Sequence, residues 1–258
     1  MIAAERRAYI MEIARARGAV RVTELARELR VQPNTIRTDL TALQREGLLV
    51  RAHGGAMPVS ASTPSRPYTE TRGANMERKR RIGQAAAQLV SEYLSVFINA
   101  GSTTLEMVRR LPRESLPHVT TNSPEIGLAL LSLGATRVDL IGGRLLPESL
   151  ETDGELFQDV LPDLFWDACL LGVSALDLTR GVTSFDASIA RLERTIIAQS
   201  RRVIVLADSS KLGRYSHVRV TPVRGIHTLV TDEGITPMMR TALEQDGVRV
   251  VVAGESAE

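Results

Sequence analysis

The sequence predicts two folded units: a small, mostly α-helical head over residues 1–57, and an α/β body over residues 76–258 built on a mostly parallel, doubly wound sheet. Three observations carry this reading. The chain has 258 residues, more than one small core usually organises. Apolar residues in the first fifty positions recur at helical spacing, whereas beyond residue 85 strand-like and helix-like runs alternate. Between the two, PVSASTPSRPYTETRG (residues 58–73) carries Pro, Ser and Thr without apolar periodicity, the composition of an extended linker, here placed at 58–75.

Within the head, Ile10, Ile13 and Ala14 share one face of a first helix, and Gly18 stops it. VTELARELR follows, with Thr23 as the expected cap, Glu24 in the first turn, and Leu25 and Leu29 turned inward. A short VQPN turn leads into a helix over residues 31–46, where Ile36, Leu40 and Leu43 form the buried stripe. GLLVRAHGGAM then reads as a β-ribbon with a glycine turn. Helix, turn, helix and ribbon in this order describe a winged helix-turn-helix.

The opposite face of that third helix is unusual for a solvated surface. Asn34, Thr35, Arg37, Thr38 and Thr41 are mostly short hydrogen-bonding residues. They let a helix axis approach base edges, and Arg37 can offer the paired hydrogen bonds that guanine accepts in the major groove. Thr35, Thr38, Arg45 and Arg51 suit phosphate contacts, and His53 in the ribbon turn is a further candidate. Charge agrees: residues 1–57 hold 10 arginines against 6 acidic residues, net +4, residues 58–84 are again net +4, and residues 85–258 are net −6, within a total of +2. A basic head on an acidic body expects double-stranded operator DNA as the head's partner. One small head covers little DNA, so a homo-oligomer, dimer or tetramer, is expected on paired half-sites.

In the body, MERKRRIGQAAAQLVSEY places Ile82, Ala86, Leu89 and Val90 on one helical face, opening the domain. INAGSTT then ends a strand and opens a helix, so Gly101, backbone N–H groups and the hydroxyls of Ser102, Thr103 and Thr104 can surround an anion. TNSPEIG repeats the design with Asn122, Ser123 as cap and Pro124 at the first helical position. IGGR closes a third strand at Gly142, Gly143 and Arg144, and LADSSKLG closes a fourth. In an open parallel sheet these loops share the carboxyl edge, where ligands bind. Lys211 stands out because the chain uses Arg 30 times and Lys only twice. A flexible point charge there suits a phosphate.

Other classes are weighed against this. The first eighteen residues mix charges with apolar residues, unlike a signal peptide, and no later run reaches membrane length, so a cytoplasmic location without membrane contact is expected. Cys169, the one cysteine, sits in ACLLGV and reads as a packed thiol. No His/Cys spacing suggests a metal, and no cofactor is expected. An isomerase-type enzyme would need a positioned acid and base, for which Asp208, Glu193 and Lys211 are the candidates, but it would leave the head unexplained. A DNA-binding protein indifferent to ligand would leave the loops unexplained.

VTELARELRVQPNTIRTDLTALQREGLLVRAHGGA, from Val22 to Ala56, resembles the amino-terminal signature of the DeoR family of bacterial transcription regulators. The resemblance continues through INAGSTT, TNSPEIG, IGGR and DSSKLG, nearly the whole chain. It implies a repressor of sugar or polyol catabolism genes, with a sensor domain similar in fold to sugar-phosphate isomerases and answering to a phosphorylated sugar or polyol. By that resemblance Asn99 belongs to the effector site, where the family usually has an aspartate. Glu193 stands where a lysine is common, Gln32 where a serine is usual, and Thr38 where a second arginine is usual.

Overall fold

The computed structural model describes residues 2–52, 54–58, 61–62, 68–113 and 117–255. The head begins with α1 (Ala3–Arg17), which Gly18 ends in a left-handed conformation (φ 72°) as its sequence position suggests. β1 (Val20–Arg21), α2 (Val22–Glu28), α3 (Pro33–Arg45), β2 (Leu49–Ala52) and β3 (Gly55–Pro58) complete it. The strands form a small antiparallel sheet in the order β1-β3-β2. Ile10, Ala14, Leu25, Ile36, Leu40, Leu43, Leu49 and Ala56 close its core. Thr23 does not cap α2, which starts one residue earlier without a side-chain cap. The Val22 N–H instead donates to the Gly54 carbonyl across the ribbon, 2.9 Å away, so tertiary backbone replaces the expected hydroxyl.

The stretch read as an extended linker is not free. It contains β4 (Ala61–Ser62) and α4 (Tyr68–Gly73), and the Tyr68 N–H donates to Glu148 O at 2.7 Å. The body continues with α5 (Met76–Val90), β5 (Ser95–Ile98), α6 (Ser102–Val108), β6 (His118–Thr121), α7 (Pro124–Leu133), β7 (Val138–Leu140), β8 (Leu145–Leu146) and β9 (Glu151–Thr152). Then come β10 (Ala168–Gly172), β11 (Ala175–Asp177), β12 (Gly181–Ser184), α8 (Ala187–Ala198), β13 (Val203–Leu206), β14 (Arg214–Tyr215), β15 (Val218–Thr221), β16 (Thr228–Thr231), α9 (Pro237–Gln245) and β17 (Arg249–Val252).

Seven of these strands form one parallel sheet in the order β17-β16-β13-β10-β5-β6-β7. Its central strands are apolar throughout because helices cover both faces. Ile98, Leu105, Val119, Ile126, Leu170 and Ile204 pack in one core, and Phe97, Trp166, Cys169, Leu171 and Ile196 in another. The Trp166 indole meets Phe97 edge-on at 5.7 Å and donates to Thr120 Oγ1. Cys169 is fully buried, and burial pushes its thiol up to about 12. A third core, under the antiparallel sheet β11-β12-β15 and α9, includes Met57 from the wing beside Leu176, Val220 and Met238. Head and body therefore share packed side chains.

Candidate functional site

On α3 the alternation of faces is complete. Ile36, Leu40 and Leu43 are buried, while Asn34, Arg37, Thr38, Thr41 and Arg45 are exposed and Thr35 is half-buried. The helix is oriented from behind by Asp39, which is 2% exposed and accepts from Arg6 Nε at 2.5 Å and Arg7 Nε at 3.4 Å, both on α1. Thr38 and Thr41 donate their hydroxyls to the carbonyls of Asn34 and Arg37, leaving their oxygens to accept outward. Arg51 lies on the ribbon, half-buried, with Nη1 buried and lacking a hydrogen-bond partner. His53 lies outside the described residues.

A cavity of about 630 Å³ opens at the carboxyl edge of the parallel sheet. The carboxyl ends of β5, β10 and β13 and the segments that follow them supply Gly101, Ser102, Thr103, Gly172, Asp208 and Lys211 to its wall. Tyr68 and Thr71 of α4, Glu151 of β9, and Asp186 and Ile189 at the start of α8 close other sides. Among the lining residues that the sequence reading missed, Lys79 of α5 is the one cation. It is 2% exposed, its Nζ donates to the Thr71 carbonyl, and it lines this same cavity. Burial lowers the Lys79 ammonium's pKa, opposed by the charge of Asp208. Both lysines of the chain thus meet in one wall. The scarcity of lysine that singled out Lys211 applied equally to Lys79.

Several expected effector residues stand behind that wall rather than in it. Asn99 is 2% exposed and bridges strands: Nδ2 donates to Gly172 O at 2.9 Å and to Glu193 Oε1 at 2.8 Å, and Oδ1 accepts from Gly172 N. Thr104 is fully buried, with Oγ1 on Asn99 O and Gly101 O. Asn122 accepts from Ala100 N at 3.0 Å and donates to Glu151 Oε2 at 2.9 Å. Ser123 caps α7 by accepting from Ile126 N, as its position before Pro124 suggests. Gly142, Gly143 and Arg144 belong to a turn held by Asp153, whose Oδ1 accepts from Arg144 N. A Cβ at Gly143 (φ 135°) would fall 2.3 Å from that oxygen. The side chains of Asn99, Thr104, Asn122 and Ser123 thus spend hydrogen bonds within the protein, as does the backbone N–H of Arg144. Of the expected set, Gly101, Ser102, Thr103 and Lys211 line the cavity.

Glu193 and Glu151 give the floor its electrostatic character. Burial pushes Glu193 up to about 8, helped by the charge of Glu151, and burial pushes Glu151 up to about 7. Glu193 is 7% exposed and hydrogen-bonded to Asn99, behind the cavity wall.

Two family models match this chain: a DeoR-like helix-turn-helix domain over residues 6–61 and a DeoR C terminal sensor domain over residues 74–233. A putative aga operon transcriptional repressor of Escherichia coli O157:H7 is 34% identical over 97% of this chain and 94% of that protein. The HTH-type transcriptional regulator GlpR of Haloferax volcanii is 32% identical over 97% of this chain and 98% of its own length. The glycerol-3-phosphate regulon repressor of Escherichia coli K12 is 30% identical over 86% of this chain and 88% of that protein. The helix-turn-helix head followed by an α/β body agrees with these matches: the chain belongs to the DeoR family of DNA-binding transcription regulators.

Proposed function

We propose that this chain is a repressor that holds paired operator half-sites as a symmetric oligomer and changes its grip when a phosphorylated sugar or polyol enters the sheet-edge cavity. Arg37 reads a base, and Asn34, Thr35, Thr38, Thr41, Arg45 and Arg51 position the helix and wing on the backbone. The observation that carries the effector reading is the meeting of Lys79 and Lys211 in one cavity wall with the Ser102 and Thr103 hydroxyls. Cations plus hydroxyl donors are what a phosphate requires. The name of the glycerol-3-phosphate regulon repressor, a relative at 30% identity, ties that protein to a phosphorylated polyol and supports the same class here.

The linker supplies the connection to the head. Tyr68 and Thr71 of α4 line the cavity, and Lys79 bonds the Thr71 carbonyl. β4 pairs with β14, which begins three residues after Lys211. A ligand that moves Lys79 or Lys211 therefore acts on the chain leading to the wing, and bias toward one conformation alters operator affinity. Thermal-shift screening of matched free and phosphorylated sugars, followed by operator titration, tests this. Phosphorylated compounds should stabilise the protein, by roughly 2.7 kcal/mol at a hundredfold excess over Kd. Lys211→Ala should abolish the shift. Equal binding of free sugars, or intact phosphosugar binding in Lys211→Ala, sinks the reading.

A further inference from the structure

Helix α7, PEIGLALLSL, is apolar almost all round, the pattern of a helix covered on every side. Within one chain it is covered on one side. Ile126, Gly127 and Leu130 are buried, whereas Leu128 and Leu131 are 66% and 57% exposed. Ala129 and Leu133 pack into the core that holds α6, and Glu125 is bound by Tyr68 and Arg72 of α4. At 100° per residue, Leu128 and Leu131 therefore occupy the flank turned away from α4 and α6.

That flank overlooks an open sheet edge. Among the described residues β7 is the terminal strand, bonded to β6 alone in the sheet order. Arg137 O and Ile141 N both bond to β6, so by strand alternation Val138 and Leu140 direct their N–H and C=O groups to the open side. Val138 packs into the core beneath α7, which puts Leu140, 46% exposed, on the same side of the sheet as the two exposed leucines.

We infer that a second copy of this chain docks here about a two-fold axis, β7 against β7 in antiparallel sense, with the exposed leucines of α7 covering one another. Charge selects the register. Because Val138 and Leu140 are the outward-bonding residues, pairing Val138 with Leu140 would set Asp139 opposite Asp139 and is repelled. Centring the axis on Val138 sets Arg137 opposite Asp139 twice, on the face away from α7. Both residues are exposed, and Asp139 is already turned to that face, 2.6 Å from His118 Nε2. The result is one continuous sheet with an isologous, closed interface.

This surface rests on the symmetric assembly proposed above, and light scattering after gel filtration of the full chain separates their failures. The wild type should elute as a dimer or a larger even assembly, and Leu128→Glu with Leu131→Glu should halve its mass with an unchanged circular dichroism spectrum. Arg137→Asp and Asp139→Arg should each weaken association at least tenfold, and the two together should restore it. A monomeric wild type overturns the assembly and this surface together. An assembly whose mass ignores all these changes, or a double reversal that fails to recover, overturns the surface alone.

Discussion

The side-chain amide of Asn99 donates to the carboxyl of Glu193 at 2.8 Å, across 94 residues of sequence. The two side chains therefore act as one buried unit, and a change at either is felt by the other. An aspartate and a lysine on that line would form an ion pair; here an amide and a carboxyl raised to about 8 form a hydrogen bond. Asn99→Asp alone sets carboxylate against carboxyl, and Glu193→Lys alone buries an amine against an amide. Each is expected to cost about 3–5 kcal/mol in urea unfolding, with most of the loss recovered in the double variant. Additivity within about 0.5 kcal/mol would mean the sites are independent.

The raised carboxyls also set a pH dependence. Folded Glu193 and Glu151 titrate near 8 and 7, above the ordinary carboxyl value of 4.5. The folded state therefore holds more protons between those limits, and stability falls as pH rises from about 4.5 through 8. Melting temperature should decline across that window, flattening above it, and Glu193→Gln should remove much of the decline. An equally steep profile in Glu193→Gln contradicts the assignment.

On α3, Arg37→Ala should weaken cognate operator binding by about 1–3 kcal/mol while altering non-specific binding much less. Arg45→Ala should weaken both alike and lower the salt slope by about 1. Equal losses for Arg37→Ala on both DNAs would reassign it to phosphate.

At Gly55 the wing lies against both β1 and the Met238 side chain of α9. A Cβ there would lie 2.0 Å from the Val20 carbonyl oxygen and 2.5 Å from Met238 Cε. The methionine can move, but the carbonyl belongs to the β1–β3 ladder. Gly55→Ala should destabilise the chain by about 1–3 kcal/mol and reduce operator binding. A variant that melts and binds like the wild type would show that the ladder yields freely.

How much of this was legible in the sequence depended on the range of the interaction. Ile36, Leu40 and Leu43 repeat within one helix, and Gly18, Ser123 and Pro124 act on their own neighbours, so local pattern located them. The partners of Asn99, Gly172 and Glu193, come from a strand and a helix far along the chain, so no local pattern reveals them. Lys79 sits within α5, and the cavity wall it joins is completed by Asp208 and Lys211, far along the chain. The antiparallel sheet β11-β12-β15 is built from strands of three and four residues, too short for periodicity to distinguish from loop.

Met57 sits in the body's third core, beside Leu176 and Val220, though it belongs to the wing ribbon. The two units drawn by topology thus share part of one hydrophobic core. A fragment ending just after the ribbon would expose that methionine and the body surface it fills, and would report the behaviour of neither half. Heat should melt the whole chain in a single cooperative step, and the boundary that matters for regulation is a shared patch of side chains rather than a break between domains.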